Sequence, residues 1–401
     1  MGKIQISQDV VIAGAGYAGL HVAQRLGTWL EKETAGSVTL VDKNDYHQVL
    51  TEIPRVAAGN RSAEAVRVPL VTVLSQKVTF VRGAITGFDL PGHALHTEAG
   101  PLAYTRLVLA LGSRPNDFGI PGLAERALTL WSVDDAGRVL EAVKARIGEA
   151  AGSNDPQSQR RLLTVVIGGG GATGVELAGE LAEEMPALLR QVEIPADRCQ
   201  VVLVEAGATI LAGSSPGLIA RAGEVLTELG VVVHTNAQIA EVTEQGFVLK
   251  SGQTIEGGVF VWAGGVKAPD LVKGSGLPIG YNGRVKVDQH LRVLDHPEIY
   301  VAGDLASVVD FHTGRALPPL AQIALEEGET VAHNLWAEMT ADKPETFTFQ
   351  NKGYIVSVGG QSGVADVAGH TVGGRLAHAL KDAVEWEYRN SVKHLRGWSP
   401  L

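Results

Sequence analysis

Short apolar runs alternate with amphipathic stretches over the first 330 residues, and one arrangement of them occurs twice. The pattern predicts a strand, a helix and a second strand at 11–13, 20–30 and 38–42, and again at 166–168, 175–189 and 201–205. Short uninterrupted apolar strands joined by helices are typical of a parallel sheet that is covered on both faces. The repeat therefore predicts two α/β units of the same kind within one chain.

A G-x-G-x-x-G sequence follows the first strand of each unit. Its glycines are Gly14, Gly16 and Gly19 in the first unit and Gly169, Gly171 and Gly174 in the second. The first glycine of this motif permits a tight turn, the second lets a pyrophosphate approach the backbone, and the third lets the helix pack closely on the strand. The helix N-terminus then offers free N–H groups and a positive dipole end to the phosphates.

An acidic residue closes the second strand of each unit. Asp42 and Glu205 lie 23 and 31 residues beyond the last glycine of their motifs. An acid at this position accepts hydrogen bonds from the ribose hydroxyls of the adenosine half. One glycine motif alone is weak evidence, whereas two complete strand, turn, helix, strand and acid units are strong evidence. The sequence thus predicts that the chain binds two dinucleotides.

Three later apolar runs predict further buried strands, at 107–113, 259–265 and 298–304. The first two occupy equivalent places late in each repeat. The third ends in Gly303 and Asp304, where a carboxylate can accept a ribityl hydroxyl while the neighbouring backbone approaches phosphate. A polar strand end or a helix cap is an equally open interpretation of Asp304.

Composition narrows the possible functions. Hydrophobic residues make up 45% and charged residues 19% of the 401 residues, which is typical of a globular protein and not of a disordered chain. The net charge of −10 argues against a nucleic-acid partner, because phosphate backbones need clustered lysine and arginine. Cys199 is the single cysteine, so a disulfide framework, a cysteine-rich metal site and a C-x-x-C redox pair are excluded. No metal site, signal peptide or membrane-spanning run is predicted.

These features together resemble the flavoprotein superfamily that has two dinucleotide-binding domains, over about residues 8 to 330. In that superfamily the first unit holds FAD, the second holds NAD(P)H, and the Gly-Asp strand contacts the flavin's ribityl and phosphate groups. The resemblance implies FAD contacts at Gly14, Gly16, Gly19, Asp42, Lys43, Ala110 and Asp304. It implies nicotinamide nucleotide contacts at Gly169, Gly171, Gly174, Glu205 and Gly264. Further candidate cofactor contacts are Tyr17, Ala18, Ala84, Gly112 and Ala321.

The missing cysteine pair separates the branches of this superfamily. Its disulfide reductases pass electrons through neighbouring cysteines, and its sulfide:quinone reductases also use cysteines. The run 317–328, with Ala321, Gln322 and Ala324, resembles the Ala-Gln-x-Ala-x-Gln motif of type II NADH:quinone oxidoreductases, although Glu326 replaces the second glutamine. In that family the motif lies at the flavin edge and lines the quinone pocket. A helix start whose small residues pack on the sheet is the alternative interpretation.

The run 173–181 is also shared with this family. The resemblance implies a catalytic role for Glu176 beside the nicotinamide and the flavin. A position in the first turn of its helix, where a negative charge complements the dipole, explains Glu176 as well. Glu180, one turn later, is predicted to face solvent. The predicted catalytic residues are Glu176, Gln322 and Glu326, and the predicted quinone contacts are Gln322, Ile323, Glu326, Lys352 and Tyr354.

The pattern changes in the last 60 residues. Two short strands are predicted within 347–360 and a further β segment at 361–368, which in the resembled family covers the flavin; a plain sheet cap is the alternative. Residues at helical spacing predict an amphipathic helix over 375–398: Leu376, Leu380, Ala383, Val384, Tyr388, Val392, Leu395 and Trp398. Trp386, Trp398 and the surrounding basic residues favour a helix in the lipid headgroup region. A dimerisation or core-packing helix fits the same spacing.

The sequence therefore predicts an α/β fold with two Rossmann-like domains, the second inserted in the first. Residues 1–115 and 285–340 are expected to bind FAD, 116–284 to bind NADH, and 341–401 to associate with a membrane or a second subunit. The resemblance implies hydride transfer from NADH to FAD and then reduction of a membrane quinone without proton pumping. The enzyme is expected to be a homodimer held peripherally at the cytoplasmic face of the cell membrane. Two alternatives stay open: a flavoprotein that reduces a soluble acceptor, and a nucleotide-dependent interaction protein of the apoptosis-inducing-factor kind.

Overall fold

The computed structural model describes residues 8–33, 35–310, 314–367 and 369–393. One large sheet has six strands, and every neighbouring pair is parallel except the first. Their spatial order is Arg292–Val293, His296–Val301, Arg106–Leu109, Asp9–Ala13, Ser37–Asp42 and Val78–Arg82. The strand that precedes the first glycine motif therefore lies inside the sheet, beside the strand that ends in Asp42.

A second large sheet has five strands, all parallel. Their order is Leu128–Thr129, Val259–Trp262, Thr164–Gly168, Gln200–Val204 and Val232–His234. This order repeats that of the first sheet around the glycine-motif strand. Its strands fall in sequence between those of the first sheet, so the predicted α/β fold with a second Rossmann-like unit inserted in the first is confirmed.

Smaller antiparallel sheets complete both units. Each unit has a three-stranded sheet: Ile85–Asp89, Ala94–Thr97 and Gly100–Ala103 in the first, and Ile239–Val242, Gly246–Leu249 and Thr254–Glu256 in the second. Two-stranded pairs are Tyr46–Gln48 with Arg67–Pro69, Arg114–Pro115 with Val266–Lys267, and Val285–Lys286 with Ala306–Ser307. The pair formed by Arg114–Pro115 and Val266–Lys267 joins the chain entering the second unit to the chain leaving it.

Nine α-helices lie within the described ranges. They are α1 (Tyr17–Leu30), α2 (Ile53–Ala58), α3 (Leu123–Arg126), α4 (Val133–Ala151), α5 (Pro156–Leu162), α6 (Ala172–Arg190), α7 (Pro216–Glu228), α8 (Ala321–Thr340) and α9 (Arg375–Lys393). Helices α1 and α8 pack closely, because a Cβ at Gly328 would lie only 2.9 Å from the carbonyl oxygen of Ala18. Fully buried side chains such as Leu26 and Leu335 fill this layer, and each contributes about 1.5–3 kcal/mol by leaving water.

The C-terminal region differs in part from its prediction. Its sheet has three antiparallel strands, Tyr354–Ser357, Gly363–Val367 and His370–Gly373. Residues 347–353 form no strand, so the prediction of two strands within 347–360 is wrong; the described backbone has one there. The three-stranded sheet packs against α6, α7 and α9. Leu395 and Trp398 of the predicted tail helix lie outside the described residues.

Within the described ranges, no helix combines the length and the apolar character that crossing a bilayer requires.

Candidate nucleotide and acceptor site

The two glycine loops have matching geometry. Gly14 and Gly169 have φ of +106° and +114°, in the left-handed region that favours glycine. A Cβ on Gly14 would overlap the carbonyl oxygen of Ala110, and a Cβ on Gly19 would overlap that of Gly14. In contrast, a Cβ on Gly16 or Gly171 would meet no heavy atom within 4 Å. The second glycine of each loop therefore borders open space, which is where a pyrophosphate approaches in this motif.

The helices that follow these loops begin without a side-chain cap, as do the short helices α2 and α3. The N-terminus of α4 is capped by Ser132, that of α5 by Asp155 and that of α7 by Ser215. No side chain caps α1 or α6, whose N-cap residues are Gly16 and Gly171. Helix α8, which begins at Ala321, also has no side-chain cap. Uncapped N–H groups at the positive end of a helix dipole are suited to bind phosphate or another electron-rich group.

The two strand-end acids make equivalent contacts. Asp42 accepts a hydrogen bond of 2.8 Å from the N–H of Ala15, and Glu205 accepts one of 2.6 Å from the N–H of Gly170. Each donor lies between the first and second glycines of its loop. Burial raises the pKa of Asp42, while its bond from Ala15 opposes that shift. The acids thus lie against the loops at the position that ribose hydroxyls occupy in this motif.

Asp304 follows the strand His296–Val301, which belongs to the same sheet as the strand before the first glycine loop. The Ser113 hydroxyl donates to the Asp304 carboxylate at 2.7 Å, and Arg284 donates to the Asp304 carbonyl oxygen at 3.0 Å. Gly303, at φ +75°, donates its N–H to the carboxylate of Glu327 at 2.5 Å. Glu327 is fully buried, and burial raises its pKa well above the usual carboxyl value. The carboxyl groups of Asp304 and Glu327 thus lie together behind the start of α8, and burial raises the pKa of each.

Gln322 and Glu326 face each other at the start of α8. The Gln322 amide donates to the Glu326 carboxylate at 3.1 Å and to the carbonyl oxygen of Gln350 at 3.0 Å. The N–H of Gln350 lies 3.4 Å from the other Glu326 oxygen. Both side chains are half-buried, so they form a polar pair that an acceptor molecule can reach.

Comparison with known proteins agrees with this arrangement. The model of the pyridine nucleotide-disulphide oxidoreductase family matches residues 8–328. The type II NADH:quinone oxidoreductase of Staphylococcus aureus is 30% identical over 385 residues, which is 95% of this chain and 95% of the relative. The chain belongs to the type II NADH:quinone oxidoreductase family.

Solved structures share the fold. The structure of NDH2 from Plasmodium falciparum in complex with NADH has a TM-score of 0.84 at 17% identity and covers 98% of each chain. A sulfide:quinone oxidoreductase from Aquifex aeolicus has a TM-score of 0.78 at 17% identity, over 97% of this chain and 92% of that one. At these identities the likeness concerns the fold alone.

As a member of this family, the protein is an NADH-dependent flavoprotein oxidoreductase with FAD and NADH as cofactors. The residues fit both groups, since each glycine loop leaves space at its second glycine below an uncapped helix. On this geometry Gly14, Gly16, Gly19 and Asp42 would hold FAD, with Ser113 and Asp304 along its ribityl chain. Gly169, Gly171, Gly174 and Glu205 would hold NADH.

Other predicted cofactor contacts lie around these loops. Tyr17 and Ala18 begin α1, Ala321 begins α8, and Ala110 and Gly112 follow the strand Arg106–Leu109. Ala84 bonds to Glu98 twice: its N–H donates to the Glu98 carboxylate at 3.1 Å, and its carbonyl oxygen accepts from the Glu98 N–H at 2.9 Å. Lys43 is exposed, and Gly264 lies under the ring of Trp262, where a Cβ would overlap the indole. Their cofactor roles stay predictions.

Glu176 is held by two partners from different parts of the chain. Its carboxylate accepts hydrogen bonds from Lys381 of α9 and, at 3.2 Å, from the N–H of Ser357. Burial, and next the charge of Glu176, raise the pKa of Tyr354 to about 12. Glu176 is the fifth residue of α6, so the predicted position in the first helical turn is wrong. The buried ion pair, and not dipole complementation, explains its position.

The position of Glu180 differs from the predicted one. Glu180 is fully buried, accepts a hydrogen bond from Asn60 and lies 3.5 Å from Arg55, instead of facing solvent. Arg55 also pairs with Asp382 and Glu385 of α9. Burial raises the pKa of Glu180 to about 7. Helix α6 therefore presents two acids to a charged junction with α2 and α9.

Lys352 and Ile323 complete the predicted acceptor residues. Ile323 is buried in α8, one residue after Gln322, and Lys352 is exposed before the strand Tyr354–Ser357. The structure thus brings Gln322 and Glu326 together and places Tyr354 near Glu176. The quinone roles of all five residues stay proposals.

The sequence positions of His47 and Lys381 gave no sign of the contacts that these residues make. His47 lies 2.9 Å from the carbonyl oxygen of Ala15 in the first glycine loop, and burial lowers its pKa to about 4. Lys381 lies on the buried face of α9 with Ala377, Glu385 and Tyr388. The spacing of these four residues is helical, but two of them are charged, so the pattern indicated a solvent-facing side.

Proposed function

We propose that this protein oxidises NADH and delivers the two electrons to a membrane quinone without pumping protons. The observation that carries the proposal is the half-buried pair of Gln322 and Glu326 at the uncapped start of α8, close in sequence to Asp304. Its Staphylococcus aureus relative is a type II NADH:quinone oxidoreductase, and this quinone acceptor supports the same proposal.

The chemistry divides between cofactor and protein. When bound, FAD would supply the capacity to take a hydride from NADH and to give two electrons to the acceptor. The protein positions the reactants and supplies polar groups where charge develops. The Gln322 amide can donate to a quinone oxygen by exchanging its bond to Glu326, and the Glu326 carboxyl can pass a proton to the quinone. Both groups are half-buried, so protons can reach them from the solvent on the same side.

Steady-state NADH oxidation tests the acceptor. We expect turnover with a short-chain quinone to exceed turnover with oxygen or ferricyanide as sole acceptor, with stoichiometric quinol formation. Cys199→Ser should leave this activity unchanged, because no electron path needs a cysteine. A protein that reduces soluble acceptors as efficiently as quinones would contradict the proposal, and one that barely turns over with any acceptor would favour an interaction role. In proteoliposomes, NADH:quinone turnover should generate no transmembrane pH difference.

We further propose that α9 attaches the protein peripherally to the cytoplasmic face of the cell membrane. Its buried face packs on the protein, while Leu376, Leu380, Val384 and Trp386 are exposed, Leu376 by 70% and Trp386 by 63%. The exposed apolar residues Leu376, Leu380 and Val384 share one side of the helix, as in helices that lie in the headgroup region. The alternative is a homodimer in which a second copy of the chain covers the same face.

Liposome flotation distinguishes membrane attachment from dimerisation through this face. Leu376→Glu with Leu380→Glu should abolish flotation with vesicles of mixed anionic lipid while keeping FAD content. Val71→Glu, at a side chain that is 86% exposed on the first unit, serves as the matched control and should still float. If the wild-type protein never floats, and the double variant converts a dimer to a monomer in sedimentation, the face is a subunit interface.

A further inference from the structure

A cavity of about 660 Å³ lies on the second sheet and extends from the first residues of its central strands to His234, the last residue of its edge strand. Its lining includes Thr164 and Gln200, the first residues of their strands. The glycine loop and Glu205 follow the last residues of the same two strands, about 13 Å further along at the usual rise per residue. The glycine-loop residues and Glu205 do not line the cavity.

Three arginines converge on this cavity. Arg160 and Arg161 come from α5, and Arg198 comes from the turn that precedes the strand Gln200–Val204. None of the three forms an ion pair with any residue in the described parts of the chain, and the buried Nε of Arg198 has no hydrogen-bond partner there. The described lining contains one carboxylate, Glu256, against these three guanidinium groups. In a chain of net charge −10, this local excess of positive charge points to an anion.

The floor of the cavity is apolar. Val202 and Val232 of the sheet and Ile255 of the neighbouring antiparallel sheet supply this apolar part of the lining, and Gln157, Gln253 and His234 are among the polar residues that line the cavity with them. Guanidinium groups bind phosphate through paired charge-assisted hydrogen bonds, and an apolar floor suits a flat base. A simple inorganic anion would leave most of the volume unfilled.

We propose that this cavity binds a nucleoside phosphate at a site separate from the two dinucleotide sites. The phosphate would lie against Arg160, Arg161 and Arg198, and the base would lie on Val202, Val232 and Ile255. Such a site lies on the same sheet as the second glycine loop. Its lining residue His234 accepts a backbone hydrogen bond of 2.8 Å from Glu205, so a bound ligand would contact the NADH-binding unit directly.

Calorimetry of the FAD-loaded protein in saturating NAD⁺ tests the proposal, with ADP and adenosine as probes. We expect ADP to bind with one equivalent per chain and adenosine to bind at least tenfold more weakly, because it lacks the charge-assisted bonds. Arg160→Gln and Arg198→Gln should each weaken ADP binding about tenfold or more. Arg190→Gln removes an exposed charge of the same unit outside the cavity, and should bind ADP as the wild type does.

Three results would overturn the proposal. ADP binding that saturating NAD⁺ abolishes would belong to the NADH site. Equal ADP affinity in the wild type and in both cavity variants would show that the arginines hold no phosphate. Equal affinity for ADP and adenosine would show the same. Arg160 is exposed, so its variant keeps the test valid even if Arg198→Gln impairs folding.

Discussion

The phenolic oxygen of Tyr388 lies 2.8 Å from Nε2 of His47, and this contact joins α9 to the first glycine loop. His47 reaches the loop through its other ring nitrogen, 2.9 Å from the carbonyl oxygen of Ala15. Burial lowers the pKa of His47 to about 4, so the ring is neutral at pH 7. A neutral ring that donates to Ala15 must accept from Tyr388, which fixes the direction of both bonds.

Tyr388→Phe should destabilise the protein. The substitution leaves Nε2 of His47 buried without a donor, which costs about 1–3 kcal/mol. Urea unfolding of the FAD-loaded protein measures this loss as a lower midpoint. Tyr281→Phe, at a ring that is 80% exposed, is the matched control and should leave the midpoint unchanged. Equal midpoints for the two variants would contradict the role given to the Tyr388–His47 contact.

Substitutions at two glycines of the second loop should affect NADH binding and protein folding separately. Gly171→Ala has room for its methyl group, so the protein should fold and keep FAD. The methyl group would occupy the approach of the pyrophosphate and raise the KM for NADH about tenfold or more, through loss of a charge-assisted bond. Gly174→Ala would overlap the carbonyl oxygen of Gly169 and should give little folded protein. A normal KM in Gly171→Ala would remove this loop from the NADH site.

NADH should be strongly preferred over NADPH. Glu205 closes the second glycine-loop unit, where an acid accepts ribose hydroxyl bonds in this motif, and Ala206, Gly207 and Ala208 after it supply no positive charge for a 2′-phosphate. Losing the ribose bonds and adding like-charge repulsion should cost at least about tenfold in kcat/KM. Steady-state kinetics with both nucleotides measures the ratio, and a ratio near one would contradict the assignment of Glu205.

Gln322→Leu and Glu326→Leu should slow quinone reduction specifically. A quinone gains negative charge and then protons at its oxygens, so it needs the polar partners that these residues offer. Loss of such a partner costs about 2–4 kcal/mol, or roughly 30- to 1000-fold in turnover. Anaerobic flavin bleaching by NADH, followed by stopped flow, should stay nearly unchanged. Equal slowing of both steps would instead indicate a structural role at the flavin.

Glu180 should make stability depend on pH. Burial raises its folded pKa to about 7 from an unfolded value of 4.5, so the folded state binds a proton more tightly. Its contribution is therefore complete below pH 4.5 and is lost as the pH rises through 7. Glu180→Gln removes this dependence, so wild type should lose up to about 3 kcal/mol more than the variant between pH 5 and 8. Urea unfolding at both pH values measures it.

Glu228→Gln provides the control for this titration, since its side chain is 62% exposed at the surface. This variant should follow the wild-type pH dependence. If Glu180→Gln does the same, the Glu180 carboxyl is ionised in the folded protein and Arg55 outweighs the burial.

The sequence alone predicted the parts of the protein that depend on local order along the chain. A tight turn, a close helix and a strand-end acid impose residue types at fixed spacing, so two nucleotide units could be recognised from Gly14 to Glu205. The strand end at Asp304 and the pair of Gln322 and Glu326 four residues apart also follow from local geometry. The domain boundaries at 115, 284 and 340 stay a prediction.

Only the tertiary structure decided which charged residues are buried. Glu180 and Lys381 have the polarity of surface residues, and their burial depends on partners 120 and 205 positions away along the chain. The same holds for α9, whose more apolar side faces outward while Lys381 and Glu385 face inward. A buried charge is stable only when a distant element supplies its counter-charge, and spacing within one segment carries no information about that element.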